Sequence, residues 1–538
     1  MPKTLIDVYI EKQQHLTAAQ KFTDWHESSL PPLNKSHYQE LIPKTAPREG
    51  QQYAFVVDLD KCTGCKACIT ACHNENGLEG DELWRDVGLL QGGTSEEPVY
   101  QHITSACHHC LDPACQSGCP VNAYEKDTAT GIVKHLEDQC IGCQYCTFTC
   151  PYDVPKYNKK KGIVHKCDMC ISRLKADEAP ACVRGCPNGA IEIGVTDIEV
   201  VRRDPASFVA VPEAPDSSLT LPTTKYLRKK SFPNNMTAVD HNTLKIQHSH
   251  MPLVVMLVLT QLSVGAFVVD LFLKSLVADQ LNQLLTTYRS LTAFGIGLLA
   301  LGASVLHLGR PAYAFRAFIG FRRSWLSREI IAFGAFAFLA SLYAWGKIFS
   351  LNVSTNAGLL TAVAGITGVF CSVMVYKKTK RPFWDHPATT FKFFLTTGIL
   401  GTVTILLTSV IFTYLVARTA EVSLMRDFGN VLCVALWHMT ALKLFIEGSV
   451  LTHLKDKENS SLKKTALLIT GPLKRVWAGR LFFGFLGGII LPFLFLAGHE
   501  KLSWLNFIMS AAAIFIFTLI GELQERYLFF RAVVPLKI

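Results

Sequence analysis

Apolar residues are spread unevenly along this chain: long uninterrupted apolar runs dominate the C-terminal half, and only short ones occur before it. Eight stretches, at about 251–274, 288–308, 329–349, 356–376, 390–416, 428–449, 480–499 and 503–524, are each long enough to cross a hydrocarbon core of ~30 Å, which takes ~20 helical residues. Backbone groups inside a bilayer must bond within their own segment. Residues 251–538 are therefore predicted to form an all-α polytopic membrane bundle of eight helices. Residues 51–195 hold apolar runs of strand length in a polar setting, YAFVVDL near their start and GAIEIGV near their end. Residues 196–250, rich in Pro, Ser and Thr over DPASFVAVPEAPDSSLTLPTT and without helical period, read as a linker between two domains. Residues 1–50 begin with a helix-like stretch followed by SSLPPLNKSHYQELIPKTAP and read as an extension that docks, without chemistry of its own.

Composition fits two unlike parts. The chain has 538 residues, 49% of them hydrophobic, and a mean hydropathy of +0.24, too apolar for an ordinary soluble protein. A formal net charge of +10 raises nucleic acid as a partner. The Lys and Arg residues of the second half, however, sit mostly in short loops between apolar runs, which is membrane topology and not a nucleic-acid face. Loops on the side of the N-terminal part carry twenty of them, from Arg310 to Lys537. The opposite side has six: Lys274, Arg289, Lys347, Arg418, Arg426 and Lys501. The positive-inside bias places the N-terminal domain on the cytoplasmic side of a bacterial inner membrane. The opening MPKTLIDVYIEKQQHL has neither an apolar signal core nor a twin arginine.

Sixteen of the eighteen cysteines lie between Cys62 and Cys186, in four groups of four. The first group, Cys62, Cys65, Cys68 and Cys72, and the third, Cys140, Cys143, Cys146 and Cys150, share the spacing C-x2-C-x2-C-x3-C of bacterial ferredoxin clusters. The second, Cys107, Cys110, Cys115 and Cys119, widens one gap to four residues; the fourth, Cys167, Cys170, Cys182 and Cys186, widens the same gap to eleven. Three thiolates of such a run cap three irons, and the fourth serves the other cluster of a pair. Four groups thus predict two pairs and four [4Fe-4S] clusters, with all sixteen cysteines as iron ligands. The recurrence is an internal duplication and makes residues 51–195 an α+β ferredoxin-like four-cluster domain. Zinc ribbons use two cysteine pairs separated by a spacer, and disulfide frameworks belong to short secreted chains; neither matches four-cysteine runs that mostly end in proline. Lys61, Lys66, Lys166 and Arg184 beside the groups either stabilise cluster charge or are simply solvated.

With HKCDMCISRL and APACVRGCPNGAIEIG, the cysteine groups closely resemble the four-cluster electron-transfer subunit of dimethyl sulfoxide reductase and its relatives. In the bundle, SVLHLGRPAYAFRAFIGFRRSWLSREI and GELQERYLFFRAVV resemble the membrane anchor subunit of the same enzymes, within the polysulfide reductase-like superfamily. These are separate chains in that family and are fused here. The resemblance implies an anchor that oxidises menaquinol from the membrane quinone pool and four clusters that carry the electrons. It also implies a separate molybdopterin catalytic subunit that reduces an S-oxide, an N-oxide or nitrate.

The resemblance further implies that the first group pairs with the fourth and the second with the third. The ligand sets are then Cys62, Cys65, Cys68, Cys186; Cys167, Cys170, Cys182, Cys72; Cys107, Cys110, Cys115, Cys150; and Cys140, Cys143, Cys146, Cys119. The histidine of HLG and the acid closing S-x-x-S-x-E, associated with quinol binding in the family, map to His307 and Glu329. His307 is implied as hydrogen-bond partner of the quinol hydroxyl and Glu329 as proton acceptor. The reductases resembled work on the outer face, opposite to the side that the loop charges favour.

Other ionisable groups in the apolar spans include Asp270, His438, Lys443 and Glu447. Lys443 and Glu447, four apart on one helix, are predicted to form an ion pair. Asp270 and His438 are candidates for proton exit, and Cys371 and Cys433 are read as small buried residues. A b-haem anchor needs histidines on facing helices, for which only His307 and His438 qualify, and no haem is expected. The alternative function is a quinone-linked relay or ion-translocating complex without a molybdoenzyme partner, or a b-haem-containing anchor. The chain has no P-loop, no G-x-G-x-x-G after a strand and no nucleophile constellation, so terminal reduction is assigned to another chain.

Overall fold

The structure, a computed structural model, describes residues 38–276, 280–349, 355–417, 422–498 and 504–535, with scattered residues of the first 37. Most of the 1–50 extension, together with Arg418, Lys501 and Lys537, lies outside the described residues. The chain divides into two compact units, with the boundary between Asn242 and Thr243.

In the first unit, β1 (Gln51–Asp58) alternates buried and half-buried positions along most of its length, the period of a strand with one face on a core. The hairpin β2 (Asp86–Gly93) and β3 (Pro98–Ser105) follows. Between the cysteine groups come two short hairpins, β4 (Tyr124–Lys126) with β5 (Val133–His135) and β6 (Lys156–Asn158) with β7 (Ile163–His165). β8 (Ile191–Asp197) pairs antiparallel with β1, so the two apolar runs read as strands lie side by side. Five short helices accompany the cysteines: α1 (Ala67–Glu75), α2 (Ala114–Gly118), α3 (Tyr145–Thr149), α4 (Ile171–Lys175) and α5 (Ala181–Arg184). This is the small α+β domain that the sequence predicts.

The stretch read as a linker is built into this unit as far as Asn242. It supplies α6 (Ile198–Arg203), then β9 (Lys225–Leu227), parallel to β1, and β10 (Thr237–Ala238), on the edge of β2. Its Val209, Val211 and Tyr226 share a core with Phe55 and Val57. Strands of two or three residues that add to an existing sheet need no periodicity of their own, and so leave no pattern to read.

Among the described residues the second unit has eight helices long and apolar enough to cross a membrane. They are α7 (Met251–Leu276), α8 (Gln280–Val305), α9 (Trp325–Ile348), α10 (Thr355–Lys377), α11 (Pro387–Ala417), α12 (Val422–Gly448), a two-part seventh span and a final helix. A short helix, α13 (Ser461–Thr470), precedes the seventh span. That span runs from α14 (Lys474–Phe485) through a π turn at Leu486–Ile490 into α15 (Leu491–Gly498). The last helix, α16 (Trp504–Arg531), continues past the apolar run because its final turns bury their charges instead of exposing them. Cys371 and Cys433 are buried as expected.

Those charges meet others from α11, α12 and α14. The Lys443–Glu447 pair forms at 3.6 Å and is one edge of a larger network. Arg480 donates two 2.8 Å hydrogen bonds to Glu447, and Glu522 pairs with both Lys443 and Arg480. Glu525 lies 3.7 Å from Lys392 and 3.6 Å from Arg526. None of these seven residues is more than 6% exposed. A single charge is expensive within a bilayer; mutual pairing offsets that cost. Lys392, Arg480 and Arg526 therefore belong to the bundle interior and not to the orienting loops, as does Arg289, paired with Asp270 at 3.1 Å. Glu522→Ala, which removes the nearest of Lys443's carboxylates and one of Arg480's two, is expected to cost ~3–5 kcal/mol, read as earlier thermal unfolding of the solubilised chain.

Candidate functional site

Each cysteine group is a tight turn beside a short helix. The residue before the second cysteine has a positive φ in all four: Gly64 (72°), His109 (43°), Gly142 (69°) and Met169 (62°). Such left-handed residues fold the chain back so that amides and sulfurs face a common space. Gly142 and Met169 donate N–H bonds to the Sγ of Cys140 and Cys167 at 3.4 Å. Ala123 and Ala190 do the same for Cys119 and Cys186, at 3.2 and 3.3 Å. N–H···S bonds favour negatively charged sulfur and are one of the levers on cluster potential.

Helix α1, carrying the end of the first group, packs on α5 of the fourth, and α2 packs on α3. A glycine stands at each contact, immediately before the group's last cysteine. A Cβ on Gly185 would lie 2.6 Å from Ala71 Cβ, and one on Gly118 would lie 3.0 Å from Thr149 Cγ2. The close approach carries Cys186 and Cys119 over to the neighbouring group. One small opening is lined by Cys62, Cys65, Cys68 and Cys186, and another by Cys107, Cys110, Cys115 and Cys150. Cys72 lies in the field of Cys182 and Cys170, and Cys143 in that of Cys119 and Cys140.

None of these sixteen cysteines is in a disulfide. Among the described residues no three His, Cys, Asp or Glu side chains converge on a position for a single metal ion. Sulfurs spread around an opening suit the larger body of a cubane better than a tetrahedral zinc ion. Burial pushes Cys170 up to about 12 and Cys119 and Cys150 to about 11, so metal ligation there must displace protons.

Of the four cations flagged in sequence, Lys61 and Lys66 are exposed and Arg184 is half-buried. Lys166 is 3% exposed, with Nζ 3.6 Å from Cys107 Sγ. His108 and His109, inside the second group, are buried; burial first, then neighbouring positive charge, pushes His108 down to about 3, which leaves it neutral.

In the bundle, His307 follows α8 and stands 5.5 Å, ring to ring, from His250, just ahead of α7. His250 also meets Phe530 at the end of α16, at 5.9 Å. Burial, then His307, His248 and Arg381, push His250 down to about 3, so it is neutral near pH 7. Glu329, in the second turn of α9, is 4% exposed and accepts a hydrogen bond from Ser372 on α10. Asp270, Glu447, Glu522 and Glu525, the other buried carboxylates of the bundle among the described residues, all have cationic partners. Glu329 has only a hydroxyl, and no arginine among the described residues pairs with it.

Residues 246–531, more than half of the chain, match the family described as DMSO reductase anchor subunit (DmsC). The chain belongs to that family. Residues 99–196 match the 4Fe-4S dicluster domain. The probable anaerobic dimethyl sulfoxide reductase chain YnfG of Escherichia coli K12 is 39% identical over 179 residues, 32% of this chain and 86% of the relative. The Hydrogenase-2 operon protein HybA of E. coli O157:H7 is 38% identical over 169 residues, 27% of this chain and 52% of the relative. The formate dehydrogenase-O iron-sulfur subunit of E. coli K12 is 31% identical over 183 residues, 31% of this chain and 61% of the relative. This member of the anchor family thus joins an iron-sulfur electron-transfer part to a multi-pass membrane part in one polypeptide.

Within this fused anchor protein, no hydrogen bond or ion pair joins His307 to Glu329. His438 does not face His307: it is exposed, its Nδ1 2.8 Å from the Val434 carbonyl of its own helix. Asp270 is taken up by Arg289. The residue beside His307 that sequence reading missed is His250; the H-S-H just before the first apolar run was the available signal.

Proposed function

We propose that the bundle oxidises menaquinol beside His307 and Glu329, and that the sixteen cysteines hold four [4Fe-4S] clusters in the four cross-paired sets. The electrons then pass to a separate molybdopterin catalytic subunit, which reduces an S-oxide, an N-oxide or nitrate. Bound in these sets, the clusters supply one-electron transfer between a two-electron donor and the partner. The observation that carries the quinol site is the exceptional status of Glu329, the one described buried carboxylate of the bundle that no cation neutralises.

Quinol must shed protons as electrons leave, so its site needs groups free to take them. Glu329 is free in that sense: Ser372 orients the carboxyl without fixing its charge. Neutral His250 leaves the neighbouring His307 ring without a competing positive charge. As two electrons leave, two protons must go: His307, hydrogen-bonded to one quinol hydroxyl, takes one at its ring nitrogen, and Glu329 takes the other at its carboxylate oxygen.

The loop charges, less those buried in the network, favour the cytoplasmic side of a bacterial inner membrane for the basic end of the bundle and for the iron-sulfur unit. In Glu329→Gln, which keeps the shape and a hydrogen bond to Ser372, cluster reduction by a short-chain menaquinol analogue is expected to slow by roughly 10²-fold or more. Reduction by dithionite is expected to stay unchanged. A full quinol rate in that variant removes Glu329 from the mechanism.

A further inference from the structure

Two buried cations in the iron-sulfur unit form no ion pair with a carboxylate among the described residues. Arg85, just ahead of β2, is 2% exposed. Its Nη1 donates to Thr104 Oγ1 at 3.1 Å and its guanidinium lies 4.6 Å from the centre of the Phe55 ring. Its Nε and Nη2 have no hydrogen-bond partner in the protein. Lys166 donates to the carbonyls of Cys167, at 2.7 Å, and Val133. Among the described residues no Asp or Glu forms an ion pair with either. A guanidinium stays charged in any protein setting, and a buried charge without a counter-charge is strongly destabilising. The missing negative charge must therefore come from something these residues face.

What they face is sulfur. Thr104 Oγ1, the seat of Arg85, lies 3.6 Å from Cys68 Sγ. Arg85 lies in the field of Cys182, Cys68, Cys167 and Cys72, drawn from the first and fourth groups. Lys166 instead has its Nζ 3.6 Å from Cys107 Sγ of the second group and on the backbone carbonyl of Cys167, and it lies in the field of Cys107, Cys115, Cys167 of the fourth group and Asp168. At the remaining junction, between the second and third groups, buried Tyr124 lies among Cys146, Cys115 and Cys119 and contributes no charge.

We infer that Arg85 is the shared counter-ion of the two clusters held by the first and fourth groups, and Lys166 the counter-ion at the next junction. Each favours the reduced state of the clusters it adjoins and so raises their reduction potentials. Reduction here adds one electron and breaks no bond; the added negative charge meets a cation already in place and desolvated, so no solvent need reorganise to receive it. The inference rests on the four-cluster reading and adds to it which side chains grade the potentials along the wire.

The test is an EPR-monitored redox titration of the full chain in membranes, with iron counted in every sample, comparing wild type, Arg85→Gln, Arg85→Lys and Lys166→Gln. In Arg85→Gln two of the four transitions are expected to move to more negative potential while two stay, with Arg85→Lys restoring most of the shift. In Lys166→Gln an overlapping pair moves, sharing one transition with Arg85→Gln. Unchanged potentials in iron-replete Arg85→Gln, or an equal shift of all four, overturn the proposal. If Arg85→Gln loses iron, Thr104→Val, which unseats the guanidinium but keeps its charge, decides instead. A smaller shift of the same two transitions sustains the proposal, and no shift overturns it. Wild-type protein without iron or acid-labile sulfide would remove the four-cluster reading itself.

Discussion

Cys186→Ala and Cys62→Ala are expected to abolish the same one of four [4Fe-4S] signals, whereas Cys167→Ala abolishes a different one. Cys186 and Cys167 belong to one sequence group, so the result separates cross-paired sets from four self-contained groups. The geometry behind the expectation is local. Gly185 lets α5 approach α1 at Ala71, and Cys186, the next residue, lines an opening with Cys62, Cys65 and Cys68. A cubane lacking one of its four thiolates loses an iron or falls apart, and either outcome removes its [4Fe-4S] signal completely. EPR of the dithionite-reduced protein, beside iron and sulfide assays, reads the loss. If Cys186→Ala and Cys167→Ala lose the same signal, the sets are wrong.

His307→Ala is expected to slow quinol-driven cluster reduction by roughly 10²–10⁴-fold, the range of a lost general acid–base group. The dithionite-reduced spectrum should remain that of the wild type. The two halves of this result matter together, because a misfolded bundle or a lost cluster would change both. His307 meets no hydrogen bond from Glu329, so in the proposed site the pair would act on the substrate from two elements, the segment after α8 and the start of α9. The double variant with Glu329→Gln should accordingly cost more than either change alone. Wild-type quinol rates in His307→Ala would move the site elsewhere in the bundle.

The two kinds of site were legible to different depths. The proposed cluster ligands stand out in sequence because three of each set come from one cysteine group, and the spacing within a group is a covalent property of the chain. The spans declare themselves because hydrocarbon admits little but apolar helix. What escaped was whatever assembles from distant positions. Arg85 lies in an ordinary polar stretch, and only folding sets it against cysteines on both sides of it in sequence. Four cations stood near cysteines in sequence, and burial alone distinguishes Lys166 from Lys61 and Lys66.

The ion pair of Lys443 and Glu447 was readable at helical spacing. Its extension to Arg480 and Glu522 was not, since those partners sit on other helices. Arg480 and Arg526 even counted as loop charges, which only the network corrects. The segment after Asp197 read as a linker because its strands take their register from β1 and β2.

One measurement tests the electron wire and its partner most directly: the metal and acid-labile sulfide content of the intact protein, pulled from solubilised membranes with whatever accompanies it. Four cubanes feeding a molybdopterin partner predict iron and sulfide near sixteen each per polypeptide, with molybdenum or tungsten in a copurifying subunit. Zinc without sulfide would contradict the iron-sulfur wire, and a full complement of iron with neither molybdenum nor tungsten would contradict the partner.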